Sequence, residues 1–163
     1  MPGITLRPGR EIFTDRLRAS FFISLVSFLE AYLNQVCKDV AIVVRSPLKS
    51  SEIKGNMLER SQKFLEVFGN FTRPSKEDWE FIGRIYDVRN AFVHVNGSID
   101  DYRDARRLRQ FIEQQPGLSG TSYLELKKEF CFSCLEKIDA FLEMICSEVR
   151  NLCERIKRFE SKK

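Results

Sequence analysis

Apolar residues recur every three or four positions along most of this chain, which predicts helices rather than strands. Phe22, Leu25, Leu29, Tyr32, Leu33, Val36 and Val40 trace one such line, so a first helix is expected from about Glu11 to Arg45. Pro8 and Gly9 precede it and Pro47 stops it. The β-branched run at 41–44 weakens its last turns. A second helix is expected from about Ser51 to Phe68, with Ile53, Met57, Phe64 and Phe68 on one face and Gly69-Asn70 closing it.

The third helix opens with Ser75-Lys76-Glu77-Asp78, which resembles a capping box. Its expected core stripe is Phe81, Ile85, Val88, Phe92 and Val95, and Asn96-Gly97 ends it. A fourth, basic helix is expected over Asp101 to Gln115, before Pro116-Gly117. Leu118 to Tyr123 reads as a loop with a short extended piece. The last helix is long, from about Glu125 to Glu160. Cys131, Leu135, Ile138, Leu142, Ile145, Val149, Leu152, Ile156 and Phe159 give it a heptad-like seam. The fold expected is all-α: an up-and-down helical bundle of about five helices with a long C-terminal helix, in one domain over residues 1–163.

Composition narrows the class. The chain is 43% hydrophobic with 14 Phe, which suits a packed core and not a disordered segment. The most apolar stretch, Phe21 to Leu29, ends at Glu30, so no uninterrupted apolar run of membrane-spanning length is expected. No export signal is read at the start, and a cytoplasmic protein with reduced thiols is expected from the five cysteines. Cys131-Phe132-Ser133-Cys134 has CxxC spacing, but core thiols are the expectation there, with no metal and no cofactor. The net charge of +4 is compatible with RNA without demanding it.

The third helix is apolar on more than one side. With Val88 set at zero, Arg89 lies at about 100°, Asn90 at about 200° and His94 at about 240°. Trp79, Gly83, Tyr86, Asn90 and Val93 project away from the expected core stripe, where a solvated face should carry Lys and Glu. Trp79, Gly83, Tyr86 and Val93 are therefore the expected dimer face, packing on a second copy about a two-fold axis. Glu30 is the only charged residue between Arg18 and Lys38, and Arg89 is its expected partner. Asp87 is a second group expected to orient the pair.

His94 is the chain's only histidine, five residues after Arg89. Histidine moves protons near neutral pH, and a guanidinium holds a phosphate. Arg-Asn, three residues, then His, at the end of an apolar-striped helix and followed by Asn-Gly, resembles the HEPN superfamily (higher eukaryotes and prokaryotes nucleotide-binding). Residue-level similarity is confined to about Trp79 to Gly97, with a weaker echo around Phe28 to Cys37. The resemblance implies a metal-independent endoribonuclease with Arg89, His94 and Asn90 as catalytic residues. It implies a homodimer with both motif copies lining one cleft. It implies a toxin or antiviral defence effector, held by an antitoxin or other neutralising protein.

Arg103, Arg106 and Arg107 are candidate RNA-backbone contacts, diluted by Asp100, Asp101 and Asp104. The alternatives are a non-catalytic HEPN-like module that binds RNA or protein, and a helical adaptor. In those readings His94 meets terminal carbonyls, and Arg89 pairs with Asp87 or Glu30.

Overall fold

The computed structural model describes residues 9–161. Pro8 and the basic tail residues Lys162 and Lys163 lie outside that range. The protein is all-α. Helices α1 (Gly9–Val43), α2 (Met57–Phe68), α3 (Lys76–Val95), α4 (Ala105–Gln114) and α5 (Lys128–Glu160) carry it. A two-stranded antiparallel sheet joins β1 (Leu118–Ser119) to β2 (Glu125–Leu126).

Local chemistry explains where the helices begin and end. Gly9 is the first residue of α1 rather than a residue before it. The second helix starts six residues later than expected. Ser50–Glu52 forms a 3-10 turn, Gly55 takes φ 130, and Asn56 then caps α2 reciprocally with Glu59. Side-chain oxygens there replace the missing backbone acceptors of the first turn. Ser75 and Asp78 exchange equivalent bonds at the start of α3. Asp104, not Asp101, caps α4 by accepting from the Arg107 amide. Glu125 and Leu126 go into β2 because the amide of Lys127 donates to Gly117, so α5 starts at Lys128.

Contact density divides the chain, expected as one domain, into two compact units. The first takes α1 up to Val26 together with Arg84–Leu135; the second takes Ser27–Gly83 together with α5 from Glu136. Long helices account for this: α1 runs 35 residues and α5 runs 33. At 1.5 Å per residue each spans about 50 Å, more than one small core can cover.

In the first unit Phe130 is fully enclosed, with ring centroids 5.6 Å from Phe22 and 6.4 Å from Phe111. After α3 the chain pairs back on the segment before β2. The Ile99 amide donates to the Ser122 carbonyl and the Leu124 amide to the Gly97 carbonyl, both at 2.8 Å. In the second unit Phe64, Leu65, Leu33 and Ile138 are buried, and Tyr32 Oη lies 2.8 Å from Cys146 Sγ. Glu148 is buried there and accepts a 3.2 Å bond from the Thr72 hydroxyl.

Two expected stripes are rotated. On α3 the buried positions are Trp79, Ile82, Ile85, Val88 and Ala91, while Phe81, Phe92 and Val95 are only half-buried. That line has a period of three, so the covered side swings round the helix by about 60° per step. On α5 the buried residues are Phe130, Cys131, Cys134, Ile138, Phe141, Ile145, Glu148 and Leu152, so Cys131, Ile138, Ile145 and Leu152 of the expected seam are covered. Leu135 and Phe159, expected in the seam, are exposed. On α1 the expected line holds, with Leu25 and Tyr32 half-buried beside it.

Helix α1 adds a finding on membrane length. Its Phe13–Val43 stretch has a window of mean hydropathy 1.3, long and apolar enough to cross a membrane by composition. Glu30 breaks the uninterrupted apolar run inside it. Of that window, 33% is buried inside the protein.

Candidate functional site

Arg89, Asn90 and His94 lie on the last two turns of α3, in the first unit. The helix stays regular through Val95. The next two residues end it in left-handed backbone: Asn96 takes φ 54, Gly97 takes φ 80, and the Gly97 amide reaches back six residues to donate to the Ala91 carbonyl at 2.9 Å. Arg16 of α1 fixes the turn by donating a 2.8 Å bond to Asn96 Oδ1. A Cβ on Gly97 would stand 3.1 Å from the Phe92 ring, which adds a steric reason for glycine there.

Arg89 is half-buried and its guanidinium is held from two directions. Nη1 donates a 2.9 Å bond to Asn90 Oδ1, and the guanidinium carbon lies 5.4 Å from the centre of the Tyr86 ring. Asn90 thus serves Arg89, although its helical position also put it beside His94. His94 is exposed and has no hydrogen-bond partner among the described residues. Five residues of regular helix set Arg89 and His94 about 140° apart. Within one chain the two side chains therefore leave different sides of α3, and the Arg89 guanidinium is turned onto Tyr86 and Asn90.

Asp87 does not orient the pair. Its Oδ1 accepts a 2.9 Å bond from the Tyr102 hydroxyl, and its Oδ2 lies 3.2 Å from Arg107 Nε. That carboxylate ties α3 to the start of α4. Burial, then the charge of Asp87, push the Tyr102 hydroxyl up to about 12. Arg107, a candidate RNA contact, is therefore engaged with protein. Arg103 and Arg106 remain exposed. Arg109 is tied to Asp100 and to the Thr121 carbonyl. Glu30 is half-buried on α1 in the second unit.

The expected dimer face does not survive intact. Trp79 is 5% exposed, its ring edge-on to Phe141 of the same chain with centroids 4.9 Å apart. The swinging buried line of α3 turns that position inward. Gly83 and Tyr86 are half-buried, and Val93 alone of the four is exposed. Cys131 and Cys134 are core thiols, and burial pushes the Cys131 thiol up, away from the thiolate a metal needs. Among the described residues no group of three or more His, Cys, Asp or Glu is placed to hold a metal.

A groove of about 380 Å³ opens in the same unit, lined by Arg16, Phe92, Asn96 and Tyr123 among others. Neither Arg89 nor His94 lines it. Two residues that shape this region, Arg16 and Tyr102, carry no mark in the sequence. Tyr102 falls in the acidic start of the expected fourth helix, which the fold leaves outside α4, and its charged neighbours gave no sign that it is buried. No protein-family model, curated protein or solved structure matches the chain.

Proposed function

We propose that this protein is a metal-independent endoribonuclease of the HEPN type, acting as a homodimer. What carries the reading is the pairing of an exposed, unengaged imidazole with a held guanidinium five residues earlier at a helix end. An exposed His94 is free to exchange protons with substrate and water. A guanidinium braced by Tyr86 and Asn90 loses little freedom when it takes a phosphate.

The reaction follows from those groups. One imidazole removes the proton of an RNA 2′-hydroxyl, and that oxygen attacks the adjacent phosphorus. Charge grows on the non-bridging oxygens, where Arg89 stabilises it. The bond to the 5′-oxygen breaks, and a second imidazole, in its charged form, protonates the leaving oxygen. The products are a 2′,3′-cyclic phosphate and a 5′-hydroxyl. Because Arg89 and His94 diverge on one helix, the active centre takes its complement from the second copy. The biological role in this reading is a toxin or antiviral defence effector restrained by a neutralising protein.

The divergence also favours a second reading, in which the motif binds RNA or protein without cleaving. Purified protein incubated with end-labelled RNA in EDTA separates the two. Cyclic-phosphate ends that vanish in both Arg89→Ala and His94→Ala support the enzyme. Full cleavage by either variant removes the assignment, and RNA bound without cleavage selects the second reading.

A further inference from the structure

Asp87 and His94 share a side of α3. Seven residues of regular helix set them within about 20° of each other around the axis and about 10 Å apart along it. Arg89 leaves the helix about 140° from His94, so it is not on that side. Within one chain, the groups that Asp87 gathers are the ones on His94's face.

Asp87 gathers an arginine. Its side chain is 16% exposed and held from two directions. The Tyr102 hydroxyl donates to Oδ1 at 2.9 Å, and Arg107 Nε lies 3.2 Å from Oδ2. Oδ2 accepts no hydrogen bond among the described residues, so Arg107 answers its charge as an ion pair. The charge of Arg103 also acts on the Tyr102 hydroxyl, which brings a second guanidinium to the cluster.

This pair differs from a guanidinium that only ties two elements together. Such a group ordinarily sets two parallel N–H bonds against the two oxygens of one carboxylate. Here Tyr102 takes one oxygen, and Arg107 meets the other through Nε. The terminal nitrogens of Arg107 form no hydrogen bond among the described residues, and its side chain is 44% exposed. Asp87 thus sets the direction of the fork and leaves its outer end to solvent. The neighbouring acids do not close that end. Asp104 turns back on the Arg107 amide, Asp101 accepts from the Ser98 hydroxyl at 2.7 Å, and Asp100 is paired with Arg109. Arg103 and Arg106 are exposed beside it at the start of α4.

We propose that Arg107, positioned by Asp87 and Tyr102, holds a backbone phosphate of bound single-stranded RNA next to the phosphate that reacts at His94. A fork whose direction is already set gives up little freedom on taking a phosphate, and its two open nitrogens match two phosphate oxygens. The gap of about 10 Å along α3 is one that neighbouring phosphates of a strand can span. Arg89 keeps the phosphate under attack, and Arg107 sets the register of the strand. Its ligand is the RNA of the ribonuclease reading, on which this role rests.

Fluorescence anisotropy of a fluorescein-labelled single-stranded RNA reads the binding, with His94→Ala as background so that the RNA stays whole. Adding Arg107→Ala is expected to weaken binding about 10-fold. It should also make the slope of log affinity against log salt shallower by about 0.7, the share of one phosphate. Arg109→Ala removes the same charge from a guanidinium already paired with Asp100, and affinity is expected to stay within about twofold. Asp87→Asn decides the positioning. It raises the net charge, so charge alone would tighten binding, whereas loss of the fork's direction weakens it. Should that variant fail to fold, Tyr102→Phe, which alters no charge, is expected to weaken binding in the same sense. With His94 present, Arg107→Ala is expected to raise KM and leave kcat, because the phosphate it holds is not the one that reacts.

Unchanged binding in Arg107→Ala overturns the proposal, as does tighter binding in Asp87→Asn or a protein that binds no RNA at low salt. Cleavage with an unaltered KM in Arg107→Ala overturns it while leaving the nuclease chemistry standing. RNA held through Arg107 by a protein that never cuts it does the reverse.

Discussion

Asp87 shows how one carboxylate is committed by its neighbours. The sequence offered it to the Arg89–His94 pair; the fold gives its two oxygens to Tyr102 and Arg107. Removing the hydroxyl in Tyr102→Phe should cost about 0.5–1.5 kcal/mol, read as a lower denaturant midpoint near pH 8. The same residue sets a pH dependence. Its folded pKa is raised from 10.0 to about 12, so the folded state binds its proton more tightly than the unfolded chain. That contribution is complete below pH 10 and lost as pH rises towards 12. Stability should thus fall less steeply from pH 10 to pH 12 in Tyr102→Phe than in the wild type, and equal slopes would contradict the burial. Tyr32, also raised to about 12 through its bond to Cys146, adds a loss of the same sign to both proteins. His94 makes the opposite case. It is exposed and unbonded among the described residues, so His94→Ala should move stability by less than about 0.5 kcal/mol. In the nuclease reading the same change lowers cleavage by about 10²–10⁴-fold. A large melting shift in that variant would mean the imidazole is structural.

At the scale of elements, helix ends were readable because short-range chemistry makes them. Ser75 with Asp78 and Asn96-Gly97 act within a few residues of themselves, while the Asn56–Glu59 cap, just as local, went unread behind the apolar spacing that begins at Ile53. Gly97→Ala tests the Asn96-Gly97 end: φ 80 is strained for alanine and its Cβ meets Phe92, so a loss of about 1–3 kcal/mol is expected on thermal melting. Faces were less readable than ends. Trp79 and Phe81 are both aromatic, two residues apart on opposite sides of α3, and apolarity alone could not rank them. Phe141 ranked them by offering its ring to Trp79. Phe141→Ala should therefore cost about 3–5 kcal/mol and change the environment of the chain's only tryptophan. An unshifted tryptophan emission in that variant would contradict the packing.

Over the whole molecule, thiol chemistry gives the broadest check on burial. Cys37, Cys131 and Cys134 are buried, while Cys146 and Cys153 are partly open, and none of the five is in a disulfide. A thiol reagent should label Cys153 and Cys146 in the native protein and the other three only on unfolding. Labelling of Cys134 at the native rate would refute the core of the first unit. The sequence by itself determined the helical class, the number of helices, most of their ends and the Arg89–His94 spacing, because periodicity, caps and breakers act locally. Only the tertiary structure decided which face of α3 and α5 is covered, which partner Asp87 takes and which apolar residues remain in water. Those outcomes depend on what side chains far away in the chain bring to each surface, and no local pattern encodes that.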